Sequence, residues 1–151
     1  MQNIYYQVAN ESDIDDLVKL LSDLFTIEKD FSPDLSKQRK GLELIVENHN
    51  TATVQVAKNT AGKVIGMVTA QLVISTAQGA ASAWIEDMVI HSSYRGHGIG
   101  KKLLQKTLDW ARENGATRAQ LLVDIENKEA LGYYEHLKWE STQLQARRVF
   151  L

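Results

Sequence analysis

The spacing of apolar residues changes along the chain between a helical and an alternating pattern. Helical spacing predicts helices in "NESDIDDLVKLLSDLF", "SKQRKGLELIVENH", "GIGKKLLQKTLDWARENG" and, more briefly, "NKEALGYYEHL". Alternating or β-branched runs predict strands in "IYYQV", "TATVQVAK", "VIGMVTAQLVIS", "AWIEDMVIH", "RAQLLVDI" and the closing "ARRVFL". The order β-α-α-β-β-β-α-β-α-β predicts an α/β fold, with a mixed sheet flanked by helices on both faces.

Small polar residues mark where these helices begin and end. Ser12 is predicted to cap the first helix and Asn127 the last, because their side chains accept hydrogen bonds from the first helical turn. Gly115 is predicted to end the third helix.

Size and composition narrow the class of protein. The chain has 151 residues, which predicts a single domain over residues 1–151. A net charge of −2 gives no electrostatic case for binding nucleic acid. Cysteine is absent, which excludes disulfides and zinc–cysteine sites, and no histidines have the spacing of metal ligands, so we expect no metal. Without a signal peptide or a long apolar run, we expect a cytoplasmic protein that does not bind membranes.

One stretch, "YRGHGIGKK", contains three of the nine glycines of the chain and lies between a predicted strand and a predicted helix. The first turn of a helix offers backbone N–H groups and a positive dipole end to a phosphate. The flanking Arg95, Lys101 and Lys102 would favour an anion further. The stretch is not a nucleotide-binding P-loop, because Arg95 stands where that motif has its first glycine and Lys102 where it has Ser or Thr. The spacing of Gly96, Gly98 and Gly100 also differs from the dinucleotide-binding GxGxxG.

Two motifs resemble those of the GCN5-related N-acetyltransferases (GNAT). Residues 95–100 match that family's Arg/Gln-x-x-Gly-x-Gly/Ala, and Asn127, Ala130 and Tyr134 match its Asn-x-x-Ala-x-x-x-Tyr. Lys138 stands where the family usually has glycine. "WIEDMVIHSSYRGHGIG" is similar to the diamine (spermidine/spermine) acetyltransferase branch. The resemblance covers nearly the whole chain and implies the GNAT fold, with a mostly antiparallel central sheet.

The resemblance also implies a set of residues that bind acetyl-CoA as cosubstrate. The backbone of the glycine stretch would hold the pyrophosphate, and the main chain of the preceding strand would pair with the pantetheine arm. Asn127 and Ala130 would lie on the pantetheine side. The full predicted set is Met88, Val89, Ile90, Arg95, Gly96, His97, Gly98, Ile99, Gly100, Lys101, Asn127 and Ala130.

Acetyl transfer to an amine needs a group that removes a proton and a donor for the departing thiolate. Glu86 interrupts an apolar strand and is predicted to be the base, or to bind the amine. Strict alternation places Glu86 with Trp84, Met88 and Ile90 on one face and Asp87 on the other, but a β-bulge would make Asp87 the alternative. Tyr134 is predicted to donate to the thiolate, as the resemblance implies.

The acceptor is predicted to be a small cationic amine: a polyamine, a diamine or a basic amino acid. Carboxylates around Phe31 in "TIEKDFSPDLSK" would suit such a cation. The predicted substrate-binding residues are Glu28, Glu86 and Asp87. Two alternatives stay open: acetylation of a protein or peptide amine, and a CoA-binding regulatory module without turnover. The closing strand offers an edge to a second copy, and homodimers are frequent in the resembled family.

Overall fold

A computed structural model describes residues 2–28 and 30–151 of the chain. Its strands are β1 (Tyr5–Val8), β2 (Ala52–Lys58), β3 (Val64–Ser75), β4 (Ala80–Ile90) and β5 (Ala116–Leu121). Its helices are α1 (Ile14–Ile27), α2 (Leu35–Glu47), α3 (Ile99–Glu113) and α4 (Lys128–His136). The chain divides into a first compact unit that ends at Gln120 and a second that spans Leu121–Leu151.

The five strands form one sheet in the order β1-β2-β3-β4-β5. The pairs β1/β2, β2/β3 and β3/β4 are all antiparallel. The predicted α/β fold with a mostly antiparallel sheet is therefore confirmed.

Helices cover both faces of this sheet. On one face, α1 and α2 pack on alternate residues of the central strands, in a core that includes Leu17, Leu42, Val56 and Met67. On the other face lies α3, whose Leu103 is fully buried. Gly66 of β3 lies under α3, where a Cβ atom on this residue would stand 2.7 Å from Ile90 Cδ1 and 3.5 Å from Leu103 Cδ2. A larger residue at this position would therefore require the end of the Ile90 side chain to move.

The start of α1 differs from the prediction. The cap residue is Asn10, which caps the 3₁₀ turn before α1, and not Ser12: the Asn10 side chain accepts a hydrogen bond from the Ser12 N–H at 2.9 Å, and Asp13 accepts from the Asn10 N–H at 3.0 Å. This reciprocal arrangement satisfies two backbone donors at once, which is why it prevails over a cap at Ser12. A 3₁₀ turn over Glu11–Asp13 then leads into α1.

Gln38 fixes the connection between α1 and α2. It is buried, and its side-chain amide donates to the Val18 carbonyl and to Ser22 Oγ, both at 2.9 Å. Its side-chain oxygen accepts from the Asp34 N–H at 2.8 Å. These bonds hold the start of α2 against α1. Lys29, in the loop between the two helices, lies outside the described residues.

The second unit contains α4 and a C-terminal segment without helix or strand. The prediction that Asn127 caps α4 is confirmed, because its side chain accepts from the Ala130 N–H at 3.0 Å. The predicted closing strand "ARRVFL" is wrong: residues 140–151 form no strand, and Val149 and Phe150 are exposed. A strand needs a partner for its backbone N–H and C=O groups, and an alternating sequence shows the face of a strand without showing that partner.

Candidate active site

The glycine stretch forms a tight turn that ends at the start of α3. Gly96 and Gly98 have φ angles of 80° and 76°, in the left-handed region that favours glycine. Gly98 is the N-cap of α3 and provides no side chain to the first helical turn. A Cβ at either glycine would meet no other atom within 4 Å, so backbone conformation, and not lack of space, requires glycine here. The turn thus leaves the positive end of α3 open to an anion.

Three of the residues around this turn make contacts that fix them locally. The Arg95 Nε donates to the Ile90 carbonyl at 2.9 Å and so ties the turn to the end of β4. His97 Nδ1 lies 3.3 Å from the Tyr94 carbonyl. The Lys102 ammonium lies 5.2 Å from the centre of the Tyr6 ring, a cation–π contact. Lys101 is exposed in the first turn of α3.

Strand β4 contains a β-bulge near its C-terminal end. Two residues of β4, Asp87 and Met88, lie opposite the single residue Val68 of β3. Asp87 has a φ angle of 55°, a left-handed conformation that Asp tolerates better than most residues but that still costs free energy. A β-bulge was the case in which Asp87 was predicted to replace Glu86, and β4 contains such a bulge.

The bulge shifts the alternation of the residues that follow it. Strict alternation placed Glu86, Met88 and Ile90 on one face, and this prediction is wrong for Ile90. Ile90 contacts Gly66 on the face covered by α3, whereas Val89 belongs to the core beneath α1. The physical reason is the extra residue, because one inserted residue exchanges the faces of everything beyond it.

The two neighbouring carboxylates differ in their surroundings. Glu86 is exposed and accepts a hydrogen bond from Trp84 Nε1. Asp87 is half-buried and its carboxylate accepts from Thr69 Oγ1 at 3.3 Å. Burial, and then the negative charges of Glu86 and Glu28, raise the pKa of Asp87 to about 7, against a lowering contribution from the Thr69 hydroxyl.

The other residues of the predicted acidic loop have local roles. Asp34 caps α2 by accepting from the Lys37 N–H at 3.1 Å, and this hydrogen bond lowers the pKa of its carboxyl. The ring of Phe31 lies 5.3 Å from that of Phe25 and is half exposed. Glu28 is the acid of this region whose charge contributes to the raised pKa of Asp87.

In the second unit, Tyr134 lies between two other aromatic rings. Its ring centre is 5.4 Å from that of Tyr133 and 5.7 Å from that of Trp139, both edge-on. Burial, followed by the neighbouring Tyr133, raises the pKa of Tyr134 to about 12. The phenol is therefore neutral at physiological pH and is able to donate a hydrogen bond.

The turn that follows α4 keeps its form although the sequence lacks the usual glycine. Lys138 has a φ angle of 70°, and the Trp139 N–H donates to the Tyr134 carbonyl at 3.0 Å. This is the hydrogen-bond pattern of a helix end with a left-handed residue. A lysine thus occupies a conformation that glycine adopts at less cost.

A family model described as the acetyltransferase (GNAT) family matches residues 14–139, a range that contains both sequence motifs. The chain belongs to the GNAT family. The resemblance inferred from the two motifs is confirmed, and so is the predicted enzyme class, an acetyl-CoA-dependent N-acetyltransferase.

Similar proteins extend over most of this GNAT chain. A glucosamine 6-phosphate N-acetyltransferase of Trypanosoma brucei brucei is 31% identical over 149 residues, which are 93% of this chain and 92% of that protein. A thialysine N-epsilon-acetyltransferase of Mus musculus is 26% identical over 136 residues, 85% of this chain and 79% of that one. The structure of an aminoglycoside N-acetyltransferase in complex with CoA has a TM-score of 0.79 and 16% identity, covering 100% of this chain and 95% of the other.

The structure also bears on the expected absences. Among residues 2–28 and 30–151, no three His, Asp or Glu side chains come together as metal ligands would. Within the same residues, no helix has the length and apolar character needed to cross a membrane.

Sequence reasoning missed Thr69, whose hydroxyl contacts both the Glu86 carbonyl and the Asp87 carboxylate. A polar residue inside the apolar run "VIGMVTAQLV" was a visible sign that the strand has a special position there. Its meaning depended on the register between β3 and β4, which the sequence does not show.

Proposed function

We propose that this GNAT enzyme transfers the acetyl group of acetyl-CoA to the primary amine of a small cationic acceptor. The observation that carries the proposal is Asp87, whose carboxyl is under the influence of the negative charges of both Glu86 and Glu28. A cationic amine relieves that repulsion when it binds, so the group favours a cation over a neutral or anionic acceptor.

The cofactor is proposed to bind through the backbone around α3. The N–H groups from Gly96 to Lys101 would hold the pyrophosphate, supported by the positive helix end and by the side chain of Lys101. The main chain of Met88, Val89 and Ile90 would pair with the pantetheine arm, and Asn127 and Ala130 would contact it from α4. The CoA complex of the similar aminoglycoside acetyltransferase supports this cofactor.

The bulge favours Asp87 as the group that takes the amine proton. An alkylamine has a pKa of about 10.4 and an ordinary aspartate one of about 3.9, so transfer between them is uphill by about 6.5 pK units. With a pKa of about 7, Asp87 lowers that cost by about 3 units, which is about 4 kcal/mol. We therefore propose that Asp87 accepts the proton and that the exposed Glu86, first predicted as the base, binds the ammonium form beside it.

The remaining steps need one bond to form and one to break. The neutral amine nitrogen attacks the thioester carbonyl carbon, and as the amide forms the carbon–sulfur bond breaks and the nitrogen releases one proton to solvent. Tyr134 donates a hydrogen bond to the departing sulfur. Because the pKa of Tyr134 is about 12 and that of a simple thiol about 8.5, complete proton transfer is uphill by about 3.5 units. The thiolate therefore leaves as a hydrogen-bonded anion and takes its proton from solvent.

The same carboxyls favour one kind of acceptor among those of the similar proteins. Thialysine and aminoglycosides present amines without a phosphate, whereas the phosphate of glucosamine 6-phosphate would be repelled by Glu28 and Glu86. The half-exposed Phe31 adds an aromatic ring beside Glu28 in the sequence. We therefore place basic amino acids, diamines and polyamines first.

The test is release of free thiol from acetyl-CoA by the purified protein with a panel of acceptors. The panel contains spermidine, putrescine, thialysine, lysine, glucosamine 6-phosphate, an aminoglycoside and an N-terminal peptide. We expect turnover with a diamine, polyamine or basic amino acid, and much less with glucosamine 6-phosphate. Turnover with the peptide alone would overturn the acceptor class, and tight acetyl-CoA binding without any turnover would favour a regulatory module.

A further inference from the structure

Thr69 has an unusual position for a hydroxyl group. It lies in the middle of β3, is 1% exposed, and is opposite Val54 on one side and Glu86 on the other. Its Oγ1 lies 3.0 Å from the Glu86 carbonyl oxygen and 3.3 Å from a carboxylate oxygen of Asp87. One buried hydroxyl thus contacts both residues at the start of the bulge.

The hydroxyl of threonine can serve both protonation states of Asp87. When Asp87 is ionised, the Thr69 O–H donates to the carboxylate. When Asp87 is protonated, the carboxylic acid donates to Thr69 Oγ1, and the Thr69 hydrogen turns to the Glu86 carbonyl. Both arrangements use the two contacts already present, and the single Thr69 hydrogen moves between the Asp87 carboxylate and the Glu86 carbonyl as the protonation state changes.

We propose that Thr69 is the positioning residue for proton transfer, and that its hydroxyl holds the bulge and directs the Asp87 carboxyl in both protonation states. The inference rests on the proposed role of Asp87 in amine acetylation. It assigns a function to a side chain that lies outside the predicted substrate and cofactor sites.

A purely structural role for Thr69 predicts something different. A hydroxyl that only satisfies the Glu86 carbonyl would influence folding stability without changing the titration of Asp87. The charged groups that act on Asp87 are Glu86 on its own strand and Glu28 beyond the end of α1, and neither changes when Thr69 is replaced. A change in that titration therefore reports the contact between Thr69 and Asp87.

The test compares Thr69→Val with Thr69→Ser. Valine keeps the shape but loses the hydroxyl, and serine keeps the hydroxyl. The first readout is the pH titration of the Asp87 side-chain carbon by NMR, which needs no turnover. Because the hydrogen bond to the ionised carboxylate is stronger than the one from the neutral acid, its loss should raise the midpoint by about 0.5–1 pH unit in Thr69→Val, while Thr69→Ser stays near the wild type.

The second readout is the dependence of kcat/KM on pH with the best amine. The acid limb should move to higher pH in Thr69→Val by the same amount and return in Thr69→Ser. An unchanged Asp87 titration in a folded Thr69→Val protein would overturn the positioning role. Absence of turnover in the wild type would instead overturn the proposed function, while the NMR titration would still decide on Thr69.

Discussion

The glycine turn before α3 and the bulge in β4 lie close in the chain, yet they differ in how they act. The turn works through its backbone: Gly96 and Gly98 adopt left-handed conformations, and what they expose is the start of a helix. The bulge works through side chains: it places Asp87 in a half-buried position beside Thr69 and next to the exposed Glu86.

The two regions therefore separate binding from chemistry. A backbone site for a phosphate depends on conformation and on the absence of side chains, so it should govern cofactor affinity. A carboxyl with a raised pKa governs proton transfer, so it should govern the rate and its pH dependence. Variants in each region should change one quantity and leave the other close to the wild type.

The largest effect is expected from Gly98→Glu. The new carboxylate would repel the pyrophosphate, so acetyl-CoA affinity should fall on the order of 100-fold or more, as measured by calorimetry. Gly62→Glu is the matched control, because Gly62 in the turn between β2 and β3 has a φ of 80° and an equally open Cβ position. Equal affinity losses in both variants would show backbone strain and remove the phosphate site.

Tyr134→Phe tests the chemistry in the second unit. A hydrogen bond to a charged sulfur contributes roughly 1.5–3 kcal/mol, so kcat should fall about 10- to 100-fold with little change in the affinity for acetyl-CoA. Tyr133→Phe is the control, since Tyr133 is the adjacent ring on the same helix. A wild-type kcat in Tyr134→Phe, with a low kcat in Tyr133→Phe, would transfer the role to Tyr133.

Asp87→Asn should stabilise the folded protein at neutral and higher pH. The folded state binds the Asp87 proton with a pKa of about 7, and the unfolded chain with one of about 3.9, so stability falls as pH rises between them. The loss is up to about 4 kcal/mol above pH 7, and asparagine, which also tolerates the left-handed conformation, removes it. Urea unfolding should show the gain at pH 8 and none at pH 4; equal gains at both would contradict the raised pKa.

The sequence predicted the glycine turn well because its information is local. Three glycines between a strand pattern and a helix pattern identify a turn and a helix start, and the fixed spacing to Asn127 and Tyr134 identified the family. The helix cap at Asn127 was predictable for the same reason, since its side chain accepts a hydrogen bond from a residue three positions away.

The position of the β-bulge could not be predicted from the sequence, because it depends on the register of two strands. Nothing in "WIEDMVIH" shows that Asp87 and Met88 share one partner, so strict alternation placed Ile90 on the wrong face. Lys138 is a similar case: the motif lacks its glycine, yet the helix end keeps its left-handed residue. The register against β3 decides the position of Asp87, whereas backbone hydrogen bonds at the end of α4 hold Lys138 in its conformation.

The closing strand, which was predicted but is absent, shows the same limit of prediction from local sequence patterns. The pattern of "ARRVFL" is compatible with a strand, but Val149 and Phe150 are exposed in a segment without regular secondary structure. Alternation records which residues would share a face, and pairing requires a second backbone that the pattern does not contain.

The measurement that tests the central claim most directly is kcat/KM against pH for the wild type, Asp87→Asn and Glu86→Gln. Because the ammonium form binds and ionised Asp87 takes its proton, the wild type should rise with pH through a midpoint near 7, the pKa of Asp87. Asp87→Asn should lose that limb. Glu86→Gln should keep this limb but shift it to lower pH, because the substitution removes one of the negative charges that raise the pKa of Asp87. A limb that disappears in Glu86→Gln and persists in Asp87→Asn would contradict the account and return the base to Glu86.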